Sequence, residues 1–556
     1  MRRRVLRLAS GLLLAAGAVG LFLGLPAHRP PGWDATDHAF QALRFAEALR
    51  TLDFGGFIAE FHRAEYYAPL GRALLALGFL VGGDGWNAPR GMNCVIWIAT
   101  IALAGLLARR LARPEGRDAA MLWTVFFGLG GALGVQYARS AFLEPASTLI
   151  GVTSVLAYLR ARDRGSAPAC LAAGLALGAA LLVKYTYGLL ALGAIGLSWL
   201  VDAARREGHP WRVAGYGSAA LGLVLAWWFV LPLPEGLAMG EAHRERFFVY
   251  LTKAAILSDP GPGIVPIAWG LMSCVSLLAF ALQLAGVGWG FARFRSAPHR
   301  VCAVLALAGP LAIAAYAFRI DRFVLPTLFP AWALGGALVA SALTRLPRRS
   351  RPLAGLALVV AILALRGVGA AGFVRALSAT GTLVGEWGPE RAAAVREIAH
   401  VWAWPFDPEN AAPAAGPMGT EEVLEVAARH LDPLRPFGWI GGTGTELHRK
   451  LVAWSLFRAS KDRRTLYLRE DVQDYFWEDP GWDEPEFRAW ASGFSQVGVL
   501  DPPDPRNRPR EHEVRYAAWM AAHPGFRVRA ESRVDIEQRA HRVVIYERVG
   551  GVPGEE

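Results

Sequence analysis

Apolar residues fill most of the first 375 positions in blocks separated by short polar stretches. The blocks lie at 5–25, 90–108, 119–137, 145–159, 167–183, 187–203, 213–231, 264–290, 301–318, 323–342 and 353–373. Most approach the ~20 residues a helix needs to cross a bilayer. The stretch 167–203 is divided at residues 184–188, because one helix of that length would reach about 55 Å, too long for a single crossing. From about residue 385 the pattern changes to short alternating runs. Strands are expected at 435–441, 465–469, 496–500, 527–534 and 542–548, and helices at 448–458, 484–494 and 513–523. The pattern predicts a polytopic α-helical membrane protein of about 11 spans over residues 1–384. A soluble α/β domain follows at 385–556.

Composition agrees: 54% of the 556 residues are hydrophobic and 19% charged. The net charge of +11 would suit a nucleic-acid binder, but its distribution excludes that reading. Residues 385–556 carry 22 basic and 29 acidic side chains, so the positive excess belongs wholly to the apolar part. Alternate loops at 2–7, 109–117, 160–164, 205–212, 293–300 and 345–351 hold 21 basic residues. The opposite loops at 26–89, 138–144, 232–263 and 319–322 hold 11 basic and 13 acidic ones. By the positive-inside rule the N-terminus is cytoplasmic and the tail is on the outer side. The first span, with no convincing cleavage site behind it, reads as an uncleaved anchor in a bacterial inner membrane. The four cysteines all lie in spans, so no disulfide is expected in the tail.

The outer loops hold the candidate chemistry. Loop 26–89 is long enough to be functional. Helical stretches are expected at 37–49 and 66–81. Asp34 and Asp37 follow the first span; Asp37 is placed either to cap a helix or to act as a base or ligand at the interface. His38 adjoins it, and His62 and Glu65 lie farther along. In the second outer loop, Glu144 opens a span beside Pro145, and Arg139 precedes it. An acid this near the apolar layer is a functional candidate, or a helix-start carboxylate favoured by the dipole. Lys184, between two spans, reads as a head-group ligand or a snorkelling side chain. Arg322, with Arg319 and Asp321, breaks the positive-inside trend and points to a phosphate or to local pairing. His243 lies in a run of charges in the loop 232–263.

This order of parts resembles the GT-C membrane glycosyltransferases, above all the glycosyltransferase 39-type family of protein O-mannosyltransferases and bacterial aminoarabinose transferases. The resemblance covers residues 1–375. It rests on Asp37-His38 in the long first loop, Tyr66-Tyr67-Ala68-Pro69, Arg139 with Glu144, Leu182-Val183-Lys184, and Arg322-Phe323-Val324-Leu325-Pro326. The chain departs from the family where relatives carry Asp-Glu in place of Asp37-His38, and Glu-Lys-Pro-Pro in place of residues 66–69.

The resemblance implies transfer of a sugar from a polyprenyl-phosphate donor to a glycan, lipid or protein acceptor at the outer face. Asp37 would serve as base and Glu144 as a second catalytic acid. Asp34, His38, Tyr67, Arg139, Lys184 and Arg322 would bind substrate. A divalent metal is possible, with His62, Glu65 and His243 as candidate ligands; no other cofactor is implied. Membrane lipid is a further partner and nucleic acid is not. Two rival classes remain: a transporter or flippase of lipid-linked glycans, and a non-catalytic scaffold displaying its tail. The first is disfavoured because no internal repeat is present and the polar residues gather on one side. Gly441-Gly442-Thr443-Gly444-Thr445 lacks a Walker lysine and reads as a turn or helix start.

Overall fold

A computed structural model of the chain describes residues 2–25, 33–62, 68–229, 276–314, 325–365, 420–433, 435, 437–440, 449–461, 487–488, 491–502, 511–536 and 539–549. The described residues form two compact units. The first comprises 2–25, 58–62, 68–74 and 90–365. The second comprises 33–57, 75–89 and the described residues from 420 onward.

Helices build the first unit: α1 (Arg2–Leu23), the end of α3 (Phe54–His62), the start of α4 (Leu70–Gly82), α5 (Asn87–Leu111), α6 (Arg117–Leu129), α7 (Ala132–Ala138), α8 (Glu144–Arg164), α9 (Ala167–Val183) and α10 (Tyr185–Arg205). Next come a short α11 (Pro210–Arg212), a π-helical segment Val213–Gly217 and α12 (Ser218–Phe229). Four further helices follow at Leu277–Ala292, Ala297–Ala314, Leu328–Arg345 and Arg351–Ala364. Every apolar block read from the sequence contains helix. Among the described residues, four helices are long and apolar enough to cross a membrane by length and composition: Arg4–Leu23, Asn87–Leu111, Tyr185–Arg205 and Leu325–Arg345.

Two blocks are less regular than expected. Block 119–137 breaks at Gly130 and Gly131 into α6 and α7, and block 213–231 opens with the π segment. Glycine explains the first break, since it carries no helix-stabilising side chain. The division inside 167–203 falls on one residue, Lys184, whose backbone is extended between α9 and α10.

The core of this unit is apolar and tightly fitted. Trp97 and Trp332 meet edge to face at 5.5 Å, with Phe127 and Phe329 buried in the same cluster. Small residues let the helices approach, as in membrane bundles generally. A Cβ on Gly286 would fall 2.5 Å from the Gly335 nitrogen. Exposed Leu8, Leu12, Val19 and Leu23 on α1, and Leu353, Leu356 and Val360 on Arg351–Ala364, form outward apolar faces of the kind lipid covers.

One polar knot is buried among these helices. Asp202 accepts from Arg300 Nη2 at 2.6 Å, Arg162 Nε at 2.7 Å and the Tyr158 hydroxyl at 2.9 Å. Arg162 and Arg300 therefore do more than mark topology. They join α8, α10 and Ala297–Ala314 through one carboxylate.

The second unit joins segments of the stretch 33–89 to the tail. Its sheet has the order β1 (Phe437–Ile440), β2 (Gln496–Asp501), β4 (Arg539–Arg548) and β3 (Phe526–Ile536). β1 and β2 pair in parallel and the other neighbours are antiparallel. Ile440, Phe487, Phe494, Val497, Val499, Tyr516, Met520 and Val544 form its core. Helix Thr420–His430, which the sequence reading did not anticipate, belongs to this unit. The expected strand 465–469 lies outside the described residues.

Helix Arg449–Ser460 packs on the segment 79–86 through Trp454, which is fully buried. Its Nε1 donates to the Asp84 carbonyl at 3.0 Å, and its ring meets Trp86 and Phe79 edge to face. The Asp84 carboxylate accepts from Arg50 on α2 (Trp33–Arg50) and from Lys461.

Burial alone would raise the Asp84 carboxyl, but hydrogen bonds and charge from Lys461 and Arg50 outweigh it and hold it below its usual value. A depressed carboxylate stabilises the fold above its unfolded value, about 3.9, and loses that contribution as pH falls through the folded value. Acidification below about pH 4 is therefore expected to lower the protection of amides in helix Arg449–Ser460, measured as exchange relative to the unstructured rate at the same pH. Asp84→Asn should show the lower protection already at neutral pH. An unchanged exchange rate in that variant would show that the carboxylate does not hold this packing.

Candidate functional site

Three helix ends meet in the first unit around a buried ion pair. Pro145 in the first turn suits the start of α8, and a carboxylate there faces the positive end of the helix dipole. Glu144 fills that place. α9 ends one residue before Lys184, and the extended Lys184 backbone turns the chain into α10. The return is tight: a Cβ on Gly188 would sit 2.6 Å from the Leu181 backbone. Lys184 Nζ donates to Glu144 Oε1 at 2.7 Å, with the two side chains only 2% and 1% exposed. The Tyr187 ring lies 5.5 Å from the same ammonium group.

Neighbouring residues fix this pair. Asn93 on α5 donates to the Ser140 and Phe142 carbonyls at 2.7 and 2.8 Å, holding the segment that leads into Glu144. No spacing in the sequence marks Asn93 for that task. Gly71 at the start of α4 brings the helix against Leu143 and Val183, where an added Cβ would stand 3.0 and 3.3 Å away. Those are the residues immediately before Glu144 and Lys184. The Tyr185 hydroxyl accepts from Trp228 Nε1 at 3.0 Å. His62 stacks on Trp228 and meets Trp227 edge to face, and burial pushes its imidazole below the usual value.

Arg139 is held elsewhere in the same unit. Its Nη2 donates to the Gly20 carbonyl at 2.7 Å and its Nε to the Leu21 carbonyl at 3.3 Å. It thus satisfies carbonyls at the C-terminal end of α1, where a cation is favoured.

Asp37 belongs to the second unit. It lies on α2, and Gln41 Nε2 one turn on donates to both its carboxylate oxygens at 3.2 Å. Lys450, from helix Arg449–Ser460, donates to Asp37 Oδ1. The Asp37 side chain is 23% exposed, so it is open to solvent. His38, its neighbour, is buried. Lys450 was not among the residues expected from sequence, since 413 positions separate it from Asp37. Its one available signal is rarity, because the chain has only four lysines.

Asp34 is placed on α2, but its side chain is outside the described residues, as are Tyr67, Arg322, Glu65 and His243 altogether. Among the described residues, no three His, Cys, Asp or Glu side chains gather as a metal would require.

Residues 81–246 match the family described as dolichyl-phosphate-mannose-protein mannosyltransferase. That stretch includes Arg139, Glu144 and Lys184. No curated protein sequence matches the chain. Among solved structures, ArnT from Cupriavidus metallidurans bound to undecaprenyl phosphate is similar with a TM-score of 0.60 at 16% identity, covering 98% of this chain and 99% of its own. The apo state of ArnT gives 0.58, also at 16% identity, over 98% of each chain. The oligosaccharyltransferase AglB from Archaeoglobus fulgidus, in complex with an inhibitory peptide and a dolichol-phosphate, gives 0.50 at 11% identity, over 88% of this chain and 69% of its own. The chain therefore has the GT-C membrane fold.

Removing one partner of a buried ion pair leaves the other charge unpaired away from water, at about 3–5 kcal/mol. Glu144→Gln and Lys184→Met should each destabilise the detergent-solubilised protein by about that amount. The double variant should cost clearly less than the sum of the singles. Full additivity in unfolding measurements would show that the two side chains are not coupled.

Proposed function

We infer that this chain is an integral membrane glycosyltransferase that moves a sugar from a polyprenyl-phosphate-linked donor to an acceptor. One observation carries the reading: the family match spans Glu144 and Lys184, the two distant residues that the fold joins in a buried bond. The end-to-end likeness to ArnT, one structure of which holds undecaprenyl phosphate, supports the class of donor. The charge pattern supports an orientation with the tail and the candidate residues at the periplasmic face of an inner membrane.

In this reading an acceptor oxygen attacks the anomeric carbon of the donor sugar. The new glycosidic bond forms as the bond to the phosphate oxygen breaks. The acceptor proton passes to a carboxylate, and the lipid phosphate departs with the bonding electrons. A base must reach the proton it takes. Asp37, partly exposed, is the proposed base. Glu144 is bonded to Lys184, and its role in this reading is to fix the position and charge of that lysine. Cations stabilise the phosphate as negative charge collects on it. Lys184 and Arg322 are assigned to that task, while Arg139 secures α1 beside the loop that carries Glu144.

Replacing Asp37 by Asn keeps the shape of the side chain and removes its basicity. Transfer from a polyprenyl-phosphate sugar should fall on the order of 10²–10⁴-fold. The melting temperature should fall only slightly, since the Asp37–Lys450 pair is partly exposed and worth about 1 kcal/mol at most, and binding of the lipid donor should stay close to wild type. Radiolabelled donor incubated with membranes from each strain, over a panel of sugars, measures this. Wild-type turnover by Asp37→Asn would remove Asp37 from the mechanism.

A further inference from the structure

Arg72 lies in the first turn of α4, one residue beyond Gly71, and is only 3% exposed. Its Nε and Nη2 are buried, and among the described residues neither meets a hydrogen-bond acceptor. A guanidinium so enclosed cannot satisfy these donors in water by snorkelling. The charge is also of the wrong sign for its place, since the start of a helix is already positive and favours anions. An arginine that offers two adjacent N–H groups at a helix start makes a fork suited to two oxygens of one phosphate.

The surroundings say which phosphate. Through Gly71, the helix start packs on Leu143 and Val183, the residues before Glu144 and Lys184. The Arg72 charge also acts on the phenol of Tyr185, the residue after Lys184. Glu144 and Lys184 neutralise one another. Arg72 adds a buried positive charge beside that pair. Leu70, Leu74, Met92 and Ile150, packed on buried Ile96, Ala146 and Val183, give the cluster an apolar flank.

We propose that Arg72 binds the phosphate of the polyprenyl-phosphate lipid, through Nε and Nη2, at the junction of α4, α8 and α10. The proposal rests on the lipid-linked donor reading and adds a residue that neither the motifs nor the spacing had marked. The apolar flank suits the first isoprene units, so a lipid phosphate should bind more tightly than the same phosphate without its tail.

Full-length protein in detergent can be titrated calorimetrically with farnesyl phosphate, farnesol and inorganic phosphate. Wild type should bind farnesyl phosphate most tightly. Arg72→Gln should weaken that binding about tenfold or more and leave farnesol unchanged. Arg72→Lys keeps the charge without the fork and should lose several-fold; it decides the matter if the glutamine variant does not fold.

Equal loss of farnesyl phosphate and farnesol binding would mean a merely structural arginine and overturn the proposal. So would wild-type affinity in Arg72→Lys. Inorganic phosphate bound as tightly as farnesyl phosphate would overturn the lipid assignment. A wild type that binds farnesyl phosphate no better than farnesol would overturn the donor reading itself, and this proposal with it. Normal wild-type binding with unaffected variants would overturn only the role of Arg72.

Discussion

Lys184 and Glu144 share one hydrogen bond in surroundings that exclude water, and the first unit is arranged so that this bond can form. Each charge is buried, and their mutual attraction offsets part of the cost of taking both out of water. The bond sets conditions on several elements at once. α8 must begin at Glu144, α9 must end before Lys184, and α10 must turn back closely enough to require Gly188. Asn93 must hold the carbonyls of the preceding loop, and α4 must approach through a residue without a side chain at position 71. A rigid meeting point of helix ends results, and such pre-arranged charge is what phosphate chemistry needs from a protein.

Lysine usage extends the theme. The chain has four lysines, and the three that lie among the described residues each meet a carboxylate: Lys184 with Glu144, Lys450 with Asp37, and Lys461 with Asp84. The first is sealed and the other two are open to solvent. In the second unit, two of these pairs and Trp454 bind the tail helix Arg449–Ser460 to the loop segments that carry Asp37 and Asp84. The tail is therefore part of the setting of the proposed base. An acceptor delivering a proton to Asp37 must share or displace the contact with Lys450.

Long apolar runs are unambiguous, so helix occurs in every block that hydropathy marks. The charge pattern likewise separates the apolar part from the tail. What composition could not show was local or long-range. Two adjacent glycines break α6 from α7 inside a run that stays apolar throughout. Helix α3 stands in a loop whose mixed polarity gives no clear period, and Thr420–His430 follows a Pro/Ala-rich stretch that obscured its start.

At the site, position alone marked Glu144 and Lys184 as candidates, because charges near an apolar layer are rare. That they bond to each other is a tertiary fact. The partners Asn93 and Lys450 depend on contacts across 47 or more positions. Arg72 was hidden for the opposite reason. A single arginine in an apolar stretch reads as ordinary interfacial charge until its burial is known.

Cleavage of the donor separates a transferase from a carrier of lipid-linked glycans, which shares many of these features. Purified protein in lipid vesicles can be given a panel of polyprenyl-phosphate sugars, and the lipid products followed by mass spectrometry. Release of free polyprenyl phosphate in step with loss of one sugar donor is the predicted result. Donors that bind or cross the bilayer but stay intact, across every sugar and acceptor supplied, would contradict it.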